Sequence, residues 1–257
     1  MNAAVIEPEV TPMKLYHSLH STCSQKVRLC LEEKGLSWTG HHLNLRKFEH
    51  LHAEFLKLNP QGLVPVLIDQ GRVLTESRII NEYLEDQYPQ VALMPSDPYG
   101  KAQVRLWSHY IESGPSEAVK MPSFAKNIQP SLEKMNRDEA IEFIKKIPNP
   151  QIRDRWMLAA TQGISQQDLI ASHHILEEMV TRMNTALSHQ QWLCGDQLTL
   201  ADLEIAPFVQ RLVRIDLFHW VQSHPPVLDW FHRIKSRTAF ETAMPQAGSE
   251  GHIPANE

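Results

Sequence analysis

The chain has 257 residues, with 25 Lys and Arg against 30 Asp and Glu, a formal net charge of -5 and 42% hydrophobic side chains. That length suffices for a sizeable core and for two compact domains or one large one, and the charge leaves no basic patch to neutralise phosphates, which excludes a nucleic-acid partner. Three scattered cysteines, Cys23, Cys30 and Cys194, suit a reducing compartment better than a disulfide framework. No run approaches the roughly 20 apolar residues that cross a bilayer, so the expectation is a cytoplasmic protein with no membrane partner.

Residues 1–12 lack a basic n-region and a long apolar stretch and read as a flexible tail, as do residues 246–257. From Met13 to about Met94, short strand-like and helix-like segments alternate. The pattern predicts a strand at Lys14–His17, a helix at Ser24–Lys34, a strand at His41–Leu45, a helix at Phe48–Leu58, strands at Val64–Ile68 and Val73–Thr75, and a helix at Ser77–Tyr88. The order is β-α-β-α-β-β-α. The first two strands are joined through a helix and should be parallel, while the tight Gly71-Arg72 connection favours an antiparallel hairpin, giving a mixed four-stranded sheet.

Pro95-Ser96-Asp97-Pro98 reads as a linker, after which helical periodicity takes over in a domain spanning about 99–245. Tyr99–Ser113 places Ala102, Leu106, Tyr110 and Ser113 on one stripe; Gln166–Leu187 and Ala201–Ile215 are further long helices. Between them, about 115–164, Pro122, Pro130, Pro148 and Pro150 surround a charged helix at Arg137–Ile147. Prolines at that density break helices, so short helices and ordered loop are expected, forming either a lid or a packing arm. Thr199-Leu200-Ala201-Asp202 has the spacing of an N-terminal capping box, which gives Asp202 a structural role.

The most chemical segment is Ser21-Thr22-Cys23-Ser24-Gln25-Lys26-Val27-Arg28. It places Cys23 at a helix start, where exposed N–H groups and the positive end of the helix dipole favour an anion, either a thiolate on Cys23 or one on a ligand beside it. Fourteen histidines invite a metal site, but His41-His42 on a strand point to opposite faces. His50, His52 and His173-His174 have no Cys or acidic partner at ligand spacing either, so no metal is assigned.

Ser-x-Cys-Ser, Asn59-Pro60-Gln61-Gly62-Leu63-Val64-Pro65, Glu76-Ser77, Tyr83-Leu84-Glu85 and Leu200-Ala201-Asp202, in that order over roughly 13–240, together resemble the cytosolic glutathione transferases. The resemblance implies a thioredoxin-like N-terminal domain that binds glutathione, an all-helical C-terminal domain that shapes the electrophile pocket, and a homodimer. Glutathione is the implied co-substrate and a small apolar or aromatic electrophile its partner in the reaction. The Ser21–Arg28 turn is most similar to zeta-class transferases and to tetrachlorohydroquinone-type reductive dehalogenases. By that likeness Ser21 donates to the glutathione thiolate, beside Thr22, and Cys23 is an auxiliary or redox thiol able to form a mixed disulfide.

The residues themselves agree. A cis bond before Pro65 would turn the Val64 backbone outward to pair with the tripeptide as an added strand. Glu76 and Ser77 stand at a helix start suited to the γ-glutamyl end. Leu63 departs from the polar residue usual there, leaving Lys47 and His50 as candidates for the glycyl carboxylate. Leu19, His20, Trp107, Tyr110 and Ile111 are expected around the electrophile pocket, with Trp107 also readable as core. The stretch Ile147 to Trp156 is more loosely similar to the inserted segment of bacterial β-etherase-type transferases. Two other readings stay open, a glutathione-dependent reductase acting through Cys23 and a non-catalytic binding module of the same fold.

Overall fold

The computed structural model describes residues 12–244 apart from Met135 and Pro148, so the two expected tails lie almost wholly outside the described residues. The N-terminal half runs β1 (Met13–His17), α1 (Thr22–Glu33), β2 (Trp38–His42), α2 (Ala53–Leu58), β3 (Val66–Asp69), β4 (Arg72–Thr75) and α3 (Ser77–Gln87). The sheet order is β2-β1-β3-β4, with β1 and β2 parallel and the other pairings antiparallel. This is the mixed four-stranded sheet that the alternating pattern predicts, in the thioredoxin-like arrangement that the resemblance implies.

Several boundaries move, each for a local reason. β2 lies at Trp38–His42 rather than 41–45, because Trp38 pairs with Met13 and Asn44 instead caps a 3₁₀ turn, accepting from the N–H groups of Arg46 and Lys47. The helix expected from Phe48 is two 3₁₀ turns, Leu45–Lys47 and Glu49–Leu51, before a short α2, and Phe48 between them sits at φ 57°. β3 begins at Val66 because Pro65, which follows a cis bond to Val64, has no N–H to give the ladder. The hairpin turns at Gln70-Gly71, both at positive φ, one residue earlier than expected.

The C-terminal half is helical: α4 (Pro98–Ser113), α5 (Pro115–Ala118), α6 (Lys120–Asn127), α7 (Gln129–Lys134), α8 (Arg137–Lys145), α9 (Pro150–Gln162), α10 (Gln166–Leu187), α11 (Leu200–Arg214), α12 (His219–Gln222), α13 (Pro225–Lys235) and α14 (Thr238–Ala243). The period expected for α4 holds but its phase is wrong. Ala102 and Leu106 face solvent, while Val104, Trp107, Ser108 and Ile111 are buried. The described prolines of the 115–164 segment sit in first turns, where the missing N–H has no helical partner to lose. The segment is therefore a run of short helices.

The main core joins both halves. Leu15 of β1 and Val27, Leu29 and Leu31 of α1 pack in one cluster with Ile80, Ile111, Met179, Phe208 and Trp230. Asp202, fully buried, accepts from the N–H and hydroxyl of Thr199, from the Leu193 N–H and from Trp230 Nε1, all within 3.0 Å, which is the structural role its spacing predicts. Tyr83 and Glu85 are structural too. The Tyr83 hydroxyl donates to Asp69 at 2.7 Å, and Glu85 pairs with the buried Lys34 at 2.6 Å. A second, smaller cluster gathers α6, α8 and α9 against Leu51 and Phe48.

Candidate active site

The topology brings four segments to one edge of the sheet. β1, β2 and β4 end there and β3 begins there, so the edge carries Ser18–Ser21, Asn44–Leu51, Val64-Pro65 and Glu76-Ser77. In strand order, Lys47 and His50 lie at the β2 side, Ser21 and Val64-Pro65 at the centre, and Glu76 and Ser77 at the β4 side. Outer strands of such a sheet stand about 14 Å apart. Both α1 and α3 start at this edge and direct their N–H groups toward it.

At the centre, Ser21 caps α1, its Oγ accepting from the Ser24 N–H at 3.2 Å, which leaves the hydroxyl proton for another acceptor. Thr22 and Cys23 are the first two helical residues and are partly exposed. Cys30 differs: it is fully buried, and burial raises its thiol well above the usual range. The loop is fixed from beneath. Ser24 Oγ accepts from the Ser18 N–H at 3.2 Å and Gln25 Nε2 donates to the Leu19 carbonyl at 3.1 Å.

Buried Arg28 donates to the carbonyls of Ser18, Leu19 and Ala243 and to His17 Nδ1, at 2.8–3.1 Å. Burial draws its pKa down to about 9, still protonated at neutral pH, and burial followed by the Arg28 charge takes His17 to about 3. A neutral His17 can accept at Nδ1 what Arg28 donates. No sequence signal marked this role for the arginine, because the acceptor that completes its set, the Ala243 carbonyl, lies 215 positions away.

At the β4 side, Glu76 holds φ 66° and ψ 111°, a strained conformation for a residue with a Cβ, and its side chain makes no capping bond. Ser77 is buried as the first residue of α3. At the β2 side, Lys47 is exposed. His50 is 6% exposed with no hydrogen-bond partner for Nδ1 among the described residues, and burial lowers its pKa to about 4. His41 stacks on Tyr16 at 4.7 Å and His42 meets His17 edge-on, so the adjacent pair is packed on opposite faces.

The α4 part of the expected pocket wall is largely buried. Ile111 is fully buried and Trp107 nearly so, both in the main core, and Arg182 covers the rings of Trp107 and Tyr110 at 5.0 and 4.1 Å. Burial raises the Tyr110 hydroxyl above its ordinary range. Trp107 and Ile111 thus belong to the core, while Tyr110 is half-buried and its hydroxyl has no hydrogen-bond partner among the described residues.

Beside Leu19 and His20 stand instead two residues the sequence reading missed, Arg211 and Arg214. Arg211 donates to the His20 carbonyl and to Ser123 Oγ of α6, and Arg214 Nη1 lies 2.8 Å from His20 Nδ1. Burial, then the charges of Arg214, Arg211, Arg46 and Arg28, lowers His20 to about 4, so its ring is neutral at pH 7. Their sequence signal was only a basic last turn on an apolar helix, which dipole complementarity already explains. A concavity lined by Glu32, Glu33, Trp192, Arg233 and Arg237 lies at the opposite end of α1, where Arg237 pairs with Glu33 at 2.6 Å.

A thioredoxin-like sheet whose edge gathers two helix starts and a capped serine–cysteine turn, backed by a helical half, defines a two-part thioredoxin-like and all-helical architecture. Residues 20–87 match the model of the glutathione S-transferase N-terminal domain and residues 171–233 that of the C-terminal domain, and the chain belongs to the glutathione S-transferase family. It is 31% identical over 245 residues to Protein LigF of Sphingobium sp. strain SYK-6, covering 93% of this chain and 95% of that one. The crystal structure of the β-etherase LigF superposes with a TM-score of 0.81 at 30% identity, covering 91% and 98%. A zeta-class glutathione S-transferase of Euphorbia esula is 28% identical over 98% of both chains, and a tetrachloro-p-hydroquinone reductive dehalogenase of Sphingobium chlorophenolicum 23% identical over 96% and 100%.

Proposed function

We propose that the protein activates the thiolate of glutathione for attack on a small aromatic or otherwise apolar electrophile, by conjugation or by displacement of an ether oxygen or halide. The observation that carries this reading is the order of groups along the sheet edge. Three extended residues span roughly 10–11 Å, and the γ-linkage lengthens glutathione beyond that, which suits the edge from Lys47 and His50, for the glycyl carboxylate, to Glu76 and Ser77, for the γ-glutamyl end. Val64 precedes the β1–β3 ladder, which begins at Val66, so its backbone can pair with the cysteinyl unit as an added strand. The unpartnered His50 nitrogen and the strained Glu76 are the features a bound peptide would make use of.

Ser21 then supplies the hydrogen bond that favours the thiolate, helped by the α1 N-terminus. Displacement leaves negative charge on the departing oxygen or halogen. Arg211, Arg214 and the neutral His20 ring, at the end of the same loop, form the cationic rim suited to receive it. Leu19 adds apolar wall.

A second reading keeps Cys23 as a redox thiol that takes glutathione as a mixed disulfide, favoured by its place at the α1 start and its partial exposure. Direct attack is preferred because no second cysteine lies near Cys23 to resolve a disulfide: Cys30 is buried and Cys194 lies far along the chain.

The glutathione-binding unit is assigned to 13–94 and the helical unit to 99–245, in a cytoplasmic homodimer. Exposed Ile79, Tyr99 and Leu106 on α3 and α4, which the Arg78–Glu112 and Arg105–Glu82 pairs hold side by side, support the pairing. Calorimetry of glutathione binding tests the placement. Ser77→Ala should weaken binding by about 1–3 kcal/mol, and unchanged affinity would refute it.

A further inference from the structure

The α6–α9 arm builds its own small core, separate from the main one, and that core is completed by the β2–α2 connection. Ile144, Ile147, Phe124 and Ala159 are buried in it together with Leu51, which comes from the sheet half. Phe48 reaches into the same cluster. Its ring lies 5.5 Å from Trp156, 5.6 Å from Phe143 and 6.1 Å from His50, and Trp156 in turn meets Phe124 at 5.5 Å.

Phe48 does this from a left-handed backbone, φ 57° and ψ 27°, a costly state for a bulky residue that persists only where surrounding contacts over-determine it. Those contacts come from the arm. The arm also touches the second segment of the edge, since Asn149 Nδ2 donates to the Gln61 carbonyl at 3.5 Å. Gly62, next in sequence, is packed so closely on the first segment that a Cβ would stand 2.6 Å from Leu51 Cδ2 and 3.2 Å from the His50 carbonyl. The arm, the 3₁₀ turns and the Asn59–Pro65 loop are thus one packed unit.

We propose that the α6–α9 arm is a positioning element for the glycyl end of glutathione: Trp156, Phe143 and Phe124 fix Phe48, and Phe48 fixes Lys47 and His50 on either side of it. The inference rests on the reading that Lys47 and His50 meet the glycyl carboxylate. Trp156 touches neither of them; it acts through Phe48. The alternatives left by the sequence, lid or packing arm, are replaced by a third role in which the arm stays docked and sets affinity for one end of the peptide.

The test compares binding of glutathione with that of γ-glutamylcysteine, the same thiol without its glycine, by calorimetry. In the parent protein glutathione should bind roughly tenfold or more tightly, the yield of a hydrogen-bonded ion pair. Trp156→Ala should remove most of that preference, weakening glutathione by about five- to tenfold while changing γ-glutamylcysteine by less than about twofold, and Trp156→Phe should restore it. Phe143→Ala, at a more exposed ring on the same contact, should act in the same direction and serves if Trp156→Ala does not fold.

If Lys47→Ala and His50→Ala abolish the preference but Trp156→Ala and Phe143→Ala leave it intact, or weaken both ligands equally, the arm's role is refuted and the glycyl placement stands. If the parent shows no preference, or the Lys47 and His50 variants keep it, the glycyl placement itself is wrong.

Discussion

Removing the Ser21 hydroxyl separates its two roles, because each has its own magnitude and its own observable. Ser21→Ala deletes the acceptor that holds the Ser24 N–H at 3.2 Å, an N-cap loss of about 1 kcal/mol, or some 2–4 °C in melting temperature for a chain of this size. It also deletes the donor assigned to the thiolate. A hydrogen bond to a charged group contributes about 1.5–3 kcal/mol, and 1.36 kcal/mol corresponds to one pKa unit. The pKa of the bound glutathione thiol should therefore rise by about 1–2 units, read from the ultraviolet absorbance of the thiolate across pH. Asp97→Ala supplies the control. Asp97 caps α4 through the Gly100 N–H at 2.8 Å, in the segment joining the two halves, and should lose the same stability with no change in thiol pKa. If Ser21→Ala behaves like Asp97→Ala, with the bound-thiol pKa moved by less than about 0.3 unit, Ser21 is a helix cap and nothing more.

Cys23→Ser should retain at least about a third of parental turnover; a dead variant, together with a stable glutathione adduct on Cys23 by intact-protein mass spectrometry, would move the chemistry to the mixed-disulfide route. Acid should destabilise the fold in the histidine range. The folded His17 is held near 3 against 6.5 unfolded, so the unfolded chain binds the proton first and stability falls as pH drops from 6.5 toward 3. At pH 4.5 His17 alone should cost about 2–3 kcal/mol, which His17→Gln should largely remove from the pH dependence of urea unfolding; an unaltered dependence would refute the buried neutral ring. Light scattering should give a mass near twice 29.5 kDa, and Leu106→Glu should lower it to that of one chain; a parent that already runs as a single chain ends the dimer assignment.

Features whose cause is local were legible in the sequence. The Gln166–Leu187 helix, the Thr199–Asp202 cap and the Ser21 turn are each written in neighbouring residues, and the structure places them where the pattern does. The misreadings share a different cause. The phase of α4 was misjudged because Leu106 is apolar yet exposed, and only the packing of α11 against Trp107 and Ile111 decides which stripe faces inward. Arg28, Arg211 and Arg214 were passed over because their partners, Ala243, Ser123 and His20, are 88 to 215 positions away. Phe48 looked like the first residue of a helix, since the arm side chains that pack on its left-handed turn lie about a hundred residues downstream.

The bond from Arg28 to Ala243 joins residues 215 positions apart, and it sets a timetable for synthesis. At 5–20 residues per second, Ala243 is made roughly 10–40 s after Arg28. Through that interval the guanidinium beneath the thiol turn lacks one of the acceptors it needs when buried. The sheet half can form early on the ribosome, but the loop that carries Leu19, His20 and Ser21 reaches its final support only when α14 docks. The turn is thus completed by a residue translated 215 positions after Arg28, and a chain that stops short of α14 leaves it unfinished.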